Sequence, residues 1–252
     1  MKTNGYFLRN IIVSIAITTS MCYAERPFAT EDAKTAGKGV ITFELSWDYI
    51  NWRAGSFEEI VLFVTGYGLT DNLEVAFELP FLSHDFGPAH RDQGLGDAVL
   101  SAKWLLADEG KVHPALTLKS HVKINTGNAQ RGLGSGAHDY ALMAVGTKTI
   151  GRFTIHGMAG YNAIGKNGNP DLRNIYLYGL AVRYQINDAL GIAAELAGND
   201  DPNRHAVTSP MAGLVGTAYA LSENVTLDTA LKFGLTTSAP LWNASVGLSV
   251  AL

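Results

Sequence analysis

Two short stretches of the chain hold His84, Asp85, His90 and Asp92, then His138 and Asp139, side-chain types that ligate metals or pass protons. A metal centre needs a full ligand set at recognised spacing, which these residues do not supply. Polar loops also collect such residues without any chemistry. Ser120 and His121 put a hydroxyl beside an imidazole, the pairing of a nucleophile with its base. Neighbours in a strand point to opposite faces, so these two cannot meet, and no His-x-Ser pair occurs in the chain. Gly132-Leu133-Gly134-Ser135-Gly136 has the glycine density of a phosphate cradle but lies between two extended stretches with no helix after it. Asn199-Asp200-Asp201-Pro202-Asn203 offers oxygen ligands for calcium, yet lacks the longer series of a calcium loop. No catalytic residue, cofactor or metal is therefore expected.

A larger set of charged residues has a different setting, because each member belongs to an alternating run. It comprises Glu44, Asp48, Glu74, Glu78, Asp97, Lys103, Lys119, His121, Lys123, His156, Arg183, Glu195, Asp228 and Lys232. Ile41, Phe43, Leu45, Trp47 and Tyr49 share one parity, while Thr42, Glu44, Ser46 and Asp48 share the other. Leu116, Leu118, Val122 and Ile124 likewise oppose Thr117, Lys119, His121 and Lys123. Period two is the signature of strands, and it is clearest over 40–49, 73–81, 114–124, 153–163, 175–186, 225–235 and 241–252. Glycine and alanine blur the two faces at 60–69, 140–149 and 211–221.

Alternation alone does not say which face is wet. Three features decide it. No segment supplies a second apolar layer to cover the greasy faces, as a soluble sandwich requires. Aromatics on the apolar parity, such as Trp47, Tyr49, Trp104, Tyr161, Tyr184 and Trp242, gather near strand ends, as in the girdles of membrane barrels. The breaks between runs alternate, with short ones at 70–72, 108–111, 150–152, 187–188 and 222–224 and mostly longer ones at 51–57, 83–95, 125–137, 165–174, 199–209 and 236–240. Five turns and six loops give about twelve strands, and an even number permits closure without free edges. The expected fold is all-β, a transmembrane antiparallel up-and-down β-barrel over residues 39–252, with the charged set lining its lumen. Lys148, on the apolar parity, stands near the 150–152 turn and can snorkel to the interface.

The ends agree with that destination. Lys2 and Arg9 precede the apolar run IIVSIAIT and the small-residue site at Ala24, so residues 1–24 read as a cleavable secretory signal. The apolar run is shorter than the roughly 20 residues of a membrane helix. The single cysteine, Cys22, leaves with the signal, so no disulfide is available in the oxidising compartment. Of 19 basic and 23 acidic residues the leader contains only Lys2 and Arg9, so the mature chain is net acidic and no nucleic-acid partner is expected. Residues 25–38 precede the first strand as a periplasmic N-terminal arm. At about 3.3 Å per extended residue it can reach well into a lumen, where Arg26, Glu31, Asp32 and Lys34 could pair with wall charges and form a constriction.

The stretches ERPFATEDAKTAGKG (25–39), YGLTDNLEVAFELPF, GLGDAVLSAKWLL and VKINTGNAQRGLGSGAHDYAL resemble the outer-membrane transporter family of the meta-pathway of phenol degradation. The likeness covers nearly the whole mature chain. Its strongest elements are Arg26-Pro27 with Thr30-Glu31-Asp32-Ala33, the turn at 68–72 and the stretch 94–97. The resemblance implies a channel in the outer membrane of a Gram-negative bacterium that takes up small, often aromatic or hydrophobic, solutes passively. Its partners would be outer-membrane lipid, the solute and the barrel insertion machinery. The chain ends on Leu252 where many such barrels end on an aromatic, although Trp242, Ala244, Val246, Leu248 and Val250 keep the alternation. Barrels of eight strands are filled by side chains and those of sixteen or more leave a channel. A closed-lumen structural or adhesive barrel therefore stays open beside the channel, with a barrel hydrolase as a third reading.

Overall fold

The computed structural model describes residues 26–85 and 91–252. The signal segment, Glu25 and His90 lie outside the described residues. Thirteen strand segments follow the chain: β1 Ile41–Asn51, β2 Phe57–Thr70, β3 Leu73–Asp85, β4 Arg91–Leu95, β5 Ala98–Ala107, β6 Ala115–Ile124, β7 Asp139–Ile150, β8 Phe153–Ala163, β9 Ile175–Gln185, β10 Leu190–Asn199, β11 Met211–Ser222, β12 Val225–Gly234 and β13 Trp242–Ala251. Sequence neighbours pair antiparallel except β4 and β5, which both pair with β3, and β1 pairs with β13 from Thr42↔Ala251 to Asn51↔Trp242. The sheet closes on itself, which leaves no unpaired edge in the membrane.

The thirteen segments make twelve staves. β3 pairs first with β5, Leu73↔Trp104 to Glu78↔Val99, and then with β4, Phe81↔Leu95 to Asp85↔Arg91. β4 and β5 are therefore one stave broken at Gly96-Asp97. Pro80 explains the break. The Gly96 N–H donates to the Pro80 carbonyl at 2.9 Å, but proline has no N–H to return to Gly96. The Thr126 hydroxyl takes its place, donating to the Gly96 carbonyl at 3.0 Å while accepting from the Ala98 N–H at 2.8 Å. Two sequence expectations change here. Proline, which cannot donate to a ladder, reads in a sequence as a strand margin, but Pro80 sits inside a strand; and of the long loop expected at 83–95, residues 83–85 and 91–95 lie in the ladder.

Outward-facing positions are apolar along whole staves. Leu100, Leu180, Val215 and Leu231 are each about half exposed, and all lie toward the middle of their staves. In water this surface would be untenable; in hydrocarbon it is the solvent-matched face. Aromatic pairs band both ends, with Tyr49 stacked between Phe57 and Trp242, Tyr161 against Tyr176, and Phe153 against Tyr184. Lys148 shares the outward parity of β7, and its Nζ turns to Glu109 at 3.0 Å and the Gly110 carbonyl at 2.6 Å. Burial works against the Glu109 charge, but the Thr149 N–H and the Lys148 ammonium hold its carboxyl below the usual range. The charge is thus kept at the turn end of the barrel. Leu180→Arg, at mid-stave on β9, is expected to cost about 2–4 kcal/mol. Reversible folding into lipid vesicles measures this, and an indifferent result would place that face against water.

Candidate functional site

The arm enters at the short-turn end. The Gly39 N–H donates to the Gly68 carbonyl at 2.8 Å, and the Gly68 N–H to that of Val40 at 3.0 Å. A side chain at Gly68 would collide with the Gly37 carbonyl, so the close approach of the two backbones needs glycine there. The chain then runs around the inner wall instead of straight along the axis. The Ala36 N–H donates to Glu74 on β3 at 2.7 Å. The Ala33 N–H donates to the Thr147 hydroxyl on β7 at 2.8 Å, and its carbonyl accepts from Thr117 on β6 at 2.5 Å. Glu195 on β10 accepts from the N–H groups of Thr30, at 2.5 Å, and Ala29, at 3.1 Å. Arg26 ends the arc between Asp228 on β12, at 3.4 Å, and Asp48 on β1, at 3.9 Å.

Ion pairs reinforce the arc. Lys119 Nζ lies 2.5 Å from Glu31, and Lys103 Nζ lies 3.4 Å from Asp32 and 3.7 Å from Glu31. The Lys34 backbone N–H donates to Asp32 at 2.8 Å. Arg183 reaches the Arg26 carbonyl at 3.2 Å and lies over the Phe28 ring, which also packs on His156. His156 shares a 3.0 Å contact with the Thr147 hydroxyl. Ala33, Thr30 and Asp32 are almost fully buried. Buried ammonium and carboxylate groups persist only when paired and hydrogen-bonded, and here the partners are spread over staves from β1 round to β12.

The loop end is organised separately. The loop between β6 and β7 folds back over the opening, where Leu133 is buried beside Gly94 and Gly96. Asp97 accepts from the N–H groups of Gly127, at 2.9 Å, and Ser135, at 2.8 Å. Lys123 Nζ joins Ser135 Oγ at 2.6 Å, Asp139 at 2.7 Å and Asp97 at 3.7 Å. Arg131 pairs with Asp92, and Arg91 with Asp85. The acidic residues that suggested chemistry are thus committed to loop architecture, while His84 is buried against Gly132 and His138 contacts the Asn125 N–H. Asp200 accepts from the Tyr176 N–H and Asp201 from that of Asn203, as turn residues do. Among the described residues, no three His, Cys, Asp or Glu side chains converge as metal ligands would. Ser120 is exposed and His121 half-buried, on opposite faces of β6.

Glu44, Asp48, Glu74, Glu78, Lys103, Lys119, His121, Lys123, His156, Arg183, Glu195, Asp228 and Lys232 all lie on the inward parity of their staves, and Asp97 lies at the break between β4 and β5. The arm gathers most of those nearer the turn end, whereas Asp97 and Lys123 belong to the loop-end network. Thr30, Ala33, Thr117 and Thr147 also hold the arm, although nothing in their residue type singles them out. Inward positions of β6, β7, β10, β12 and β13 are largely buried, whereas those of β1, β2 and β3 keep partial exposure at Glu44, Asp48, Ile60, Leu62, Val64, Glu78, Pro80 and Leu82. On β2 both faces are apolar from Ile60 to Val64, so the blurred alternation expected there comes from aliphatic side chains and not from glycine and alanine. The missing alternation was itself the signal for this inward apolar strip.

Among solved structures, the barrel is similar to the COG4313 outer membrane channel from Pseudomonas putida F1, with a TM-score of 0.69, 14% identity, and 88% of this chain and 98% of that one covered. The KdgM porin gives a TM-score of 0.57 at 8% identity, covering 83% and 98%. Outer membrane phospholipase A from Escherichia coli gives 0.53 at 11% identity, covering 93% and 98%. At these identities the likeness is one of fold. No curated protein sequence matches the chain. The family model described as "Putative MetA-pathway of phenol degradation" matches residues 24–252.

Proposed function

We propose that this chain, which belongs to the "Putative MetA-pathway of phenol degradation" family, is a passive outer-membrane channel for small molecules with aromatic or otherwise apolar parts. The short turns then face the periplasm and the long loops the exterior. The observation that carries the reading is the unequal filling of the lumen. The arm makes most of its contacts on β5–β12 and meets β1 and β3 only at Asp48 and Glu74, while inward side chains of β1–β3 such as Glu44, Ile60, Leu62, Val64, Glu78 and Leu82 keep partial exposure. A barrel built only to be filled would have no reason to leave that face open. Solute moves down its gradient along this face, and the arm sets the width beside it. No covalent chemistry is required of any side chain.

The apolar strip on β2 supports a solute with apolar surface, because water ordered over Ile60, Leu62 and Val64 is released when such a solute passes. A liposome-swelling series with phenolics, fatty acids and sugars, run beside planar-bilayer conductance, tests this reading. Sugars that swell the liposomes as fast as phenolics would remove the apolar preference, and a barrel without conductance would be the closed structural kind.

Charge predicts ion selectivity. Glu31, Asp32, Glu44, Asp48, Glu74, Glu78, Asp97, Glu195 and Asp228 outnumber Arg26, Lys34, Lys103, Lys119, Lys123, Arg183 and Lys232 along the interior, so small cations are favoured over anions. The paired substitution E74A/E78A is expected to reduce the cation preference and K119A/K123A to increase it, read as opposite shifts of the reversal potential in a salt gradient. If neither pair moves the potential, these side chains do not border the path.

A further inference from the structure

The inner face of β2 meets charge at one definite height. In the cross-strand register Val64 has Glu44 of β1 on one side and Glu78 of β3 on the other. One step toward the loop end Leu62 lies between Ser46 and Pro80, and one step further Ile60 lies between Asp48 and Leu82. An apolar strip therefore descends from the loop end onto a pair of carboxylates. The two carboxylates stem from strands two spacings apart, roughly 10 Å along the wall, a gap that two glutamate side chains can close on one small cation.

The fixed cations nearby sit against other carboxylates, although Lys119 and Arg26 remain within electrostatic reach of the pair. Lys119 is held by Glu31 at 2.5 Å, Lys103 by Asp32 at 3.4 Å and Arg26 by Asp228 at 3.4 Å. A second feature marks the same place. The hydroxyls of Ser46, two residues from Glu44, and of Ser249, directly across from Glu44 on β13, belong to residues only 3% and 2% exposed, and neither has a hydrogen-bond partner in the protein. Polar groups buried this deeply are ordinarily satisfied. Unsatisfied oxygens beside two carboxylates suit a ligand rich in donors.

Resting on the channel reading above, we propose that the strip from Ile60 to Val64 and the Glu44–Glu78 pair form a selective station for small amphiphiles with an apolar body and an ammonium head. An apolar strip alone would not distinguish one head group from another. Two carboxylates in a low-dielectric wall attract a cation and repel an anionic head on the same body. The body lies on Ile60, Leu62 and Leu82 while the head reaches Glu44 and Glu78, so the station reads both ends of the molecule at once.

Single-channel KCl current through the refolded full-length chain tests this with three probes. Phenethylammonium carries body and head, ethylammonium only the head, and phenylacetate the same body with the opposite charge. Phenethylammonium is expected to interrupt the current, and the other two to leave it nearly unchanged. Glu44→Gln with Glu78→Gln should shorten each block roughly tenfold, as loss of a charge-assisted contact does. Leu62→Ser should shorten it too while keeping the preference for the cationic head. Where the double variant does not insert, Glu78→Gln alone carries the same test. Equal block by phenylacetate, or an unchanged block in the Gln variants, overturns the station. Current that phenethylammonium does not affect overturns the station and leaves the channel reading standing. Absence of current in the unmodified protein removes both.

Discussion

Deleting residues 26–36 is expected to raise the single-channel conductance several-fold, with the barrel otherwise intact. The deleted stretch fills the interior, mostly along β5–β12, and forms none of the staves. Its removal exposes Lys103, Lys119, Glu195 and Asp228 to water, which satisfies them as well as the arm did. The ladder that holds the barrel is untouched, because the arm's backbone takes no part in it above Gly39. Gly179→Val is the companion variant, since a side chain at that position would drive into Thr30 and unseat the arm without shortening the chain. Heat-dependent migration on gels reports whether each variant has closed its barrel. Conductance that stays the same in both variants would mean that the arm does not narrow the path.

Glu195→Ala is expected to give most of the same gain, and Glu195→Gln very little. The Glu195 carboxylate accepts from two consecutive arm N–H groups in a residue that is 6% exposed. Hydrogen bonds to a charged group contribute about 1.5–3 kcal/mol each, so losing both costs arm docking about 3–6 kcal/mol in all. The two N–H groups would also stay buried without an acceptor. Because the arm is tethered at Gly39, this penalty appears as release of the arm and not as unfolding of the barrel. Glutamine keeps an acceptor oxygen in place and should hold the arm for most of the time. Brief high-conductance excursions in Glu195→Ala, rare in Glu195→Gln, are the expected record. Equal records from the two variants would assign Glu195 a role other than holding the arm.

Two further features separate what can be seen in the residues from what cannot. Pro80 reads as a strand margin because proline cannot donate to a ladder. In the barrel it lies inside β3, since the missing donor faces a break in the neighbouring stave that the Thr126 hydroxyl repairs. The segment from Ile60 to Val64 reads as poor alternation. In the barrel it is an apolar strip facing inward, which becomes meaningful only when the register sets Glu44 and Glu78 beside it.

By itself the sequence determined the architecture: strands of period two, turns of alternating length, aromatic ends and an even stave number. These are local properties, repeated in every stretch, and a closed barrel in lipid is the arrangement that satisfies all of them together. It also marked the charged residues that fall on the inward parity, because parity is fixed within one strand. Only the tertiary structure decided which of these charges meet. Arg26 and Asp228, or Thr30 and Glu195, lie more than 160 residues apart in the chain. Their pairing depends on the path the arm takes around a closed wall, and long-range closure has no local signature.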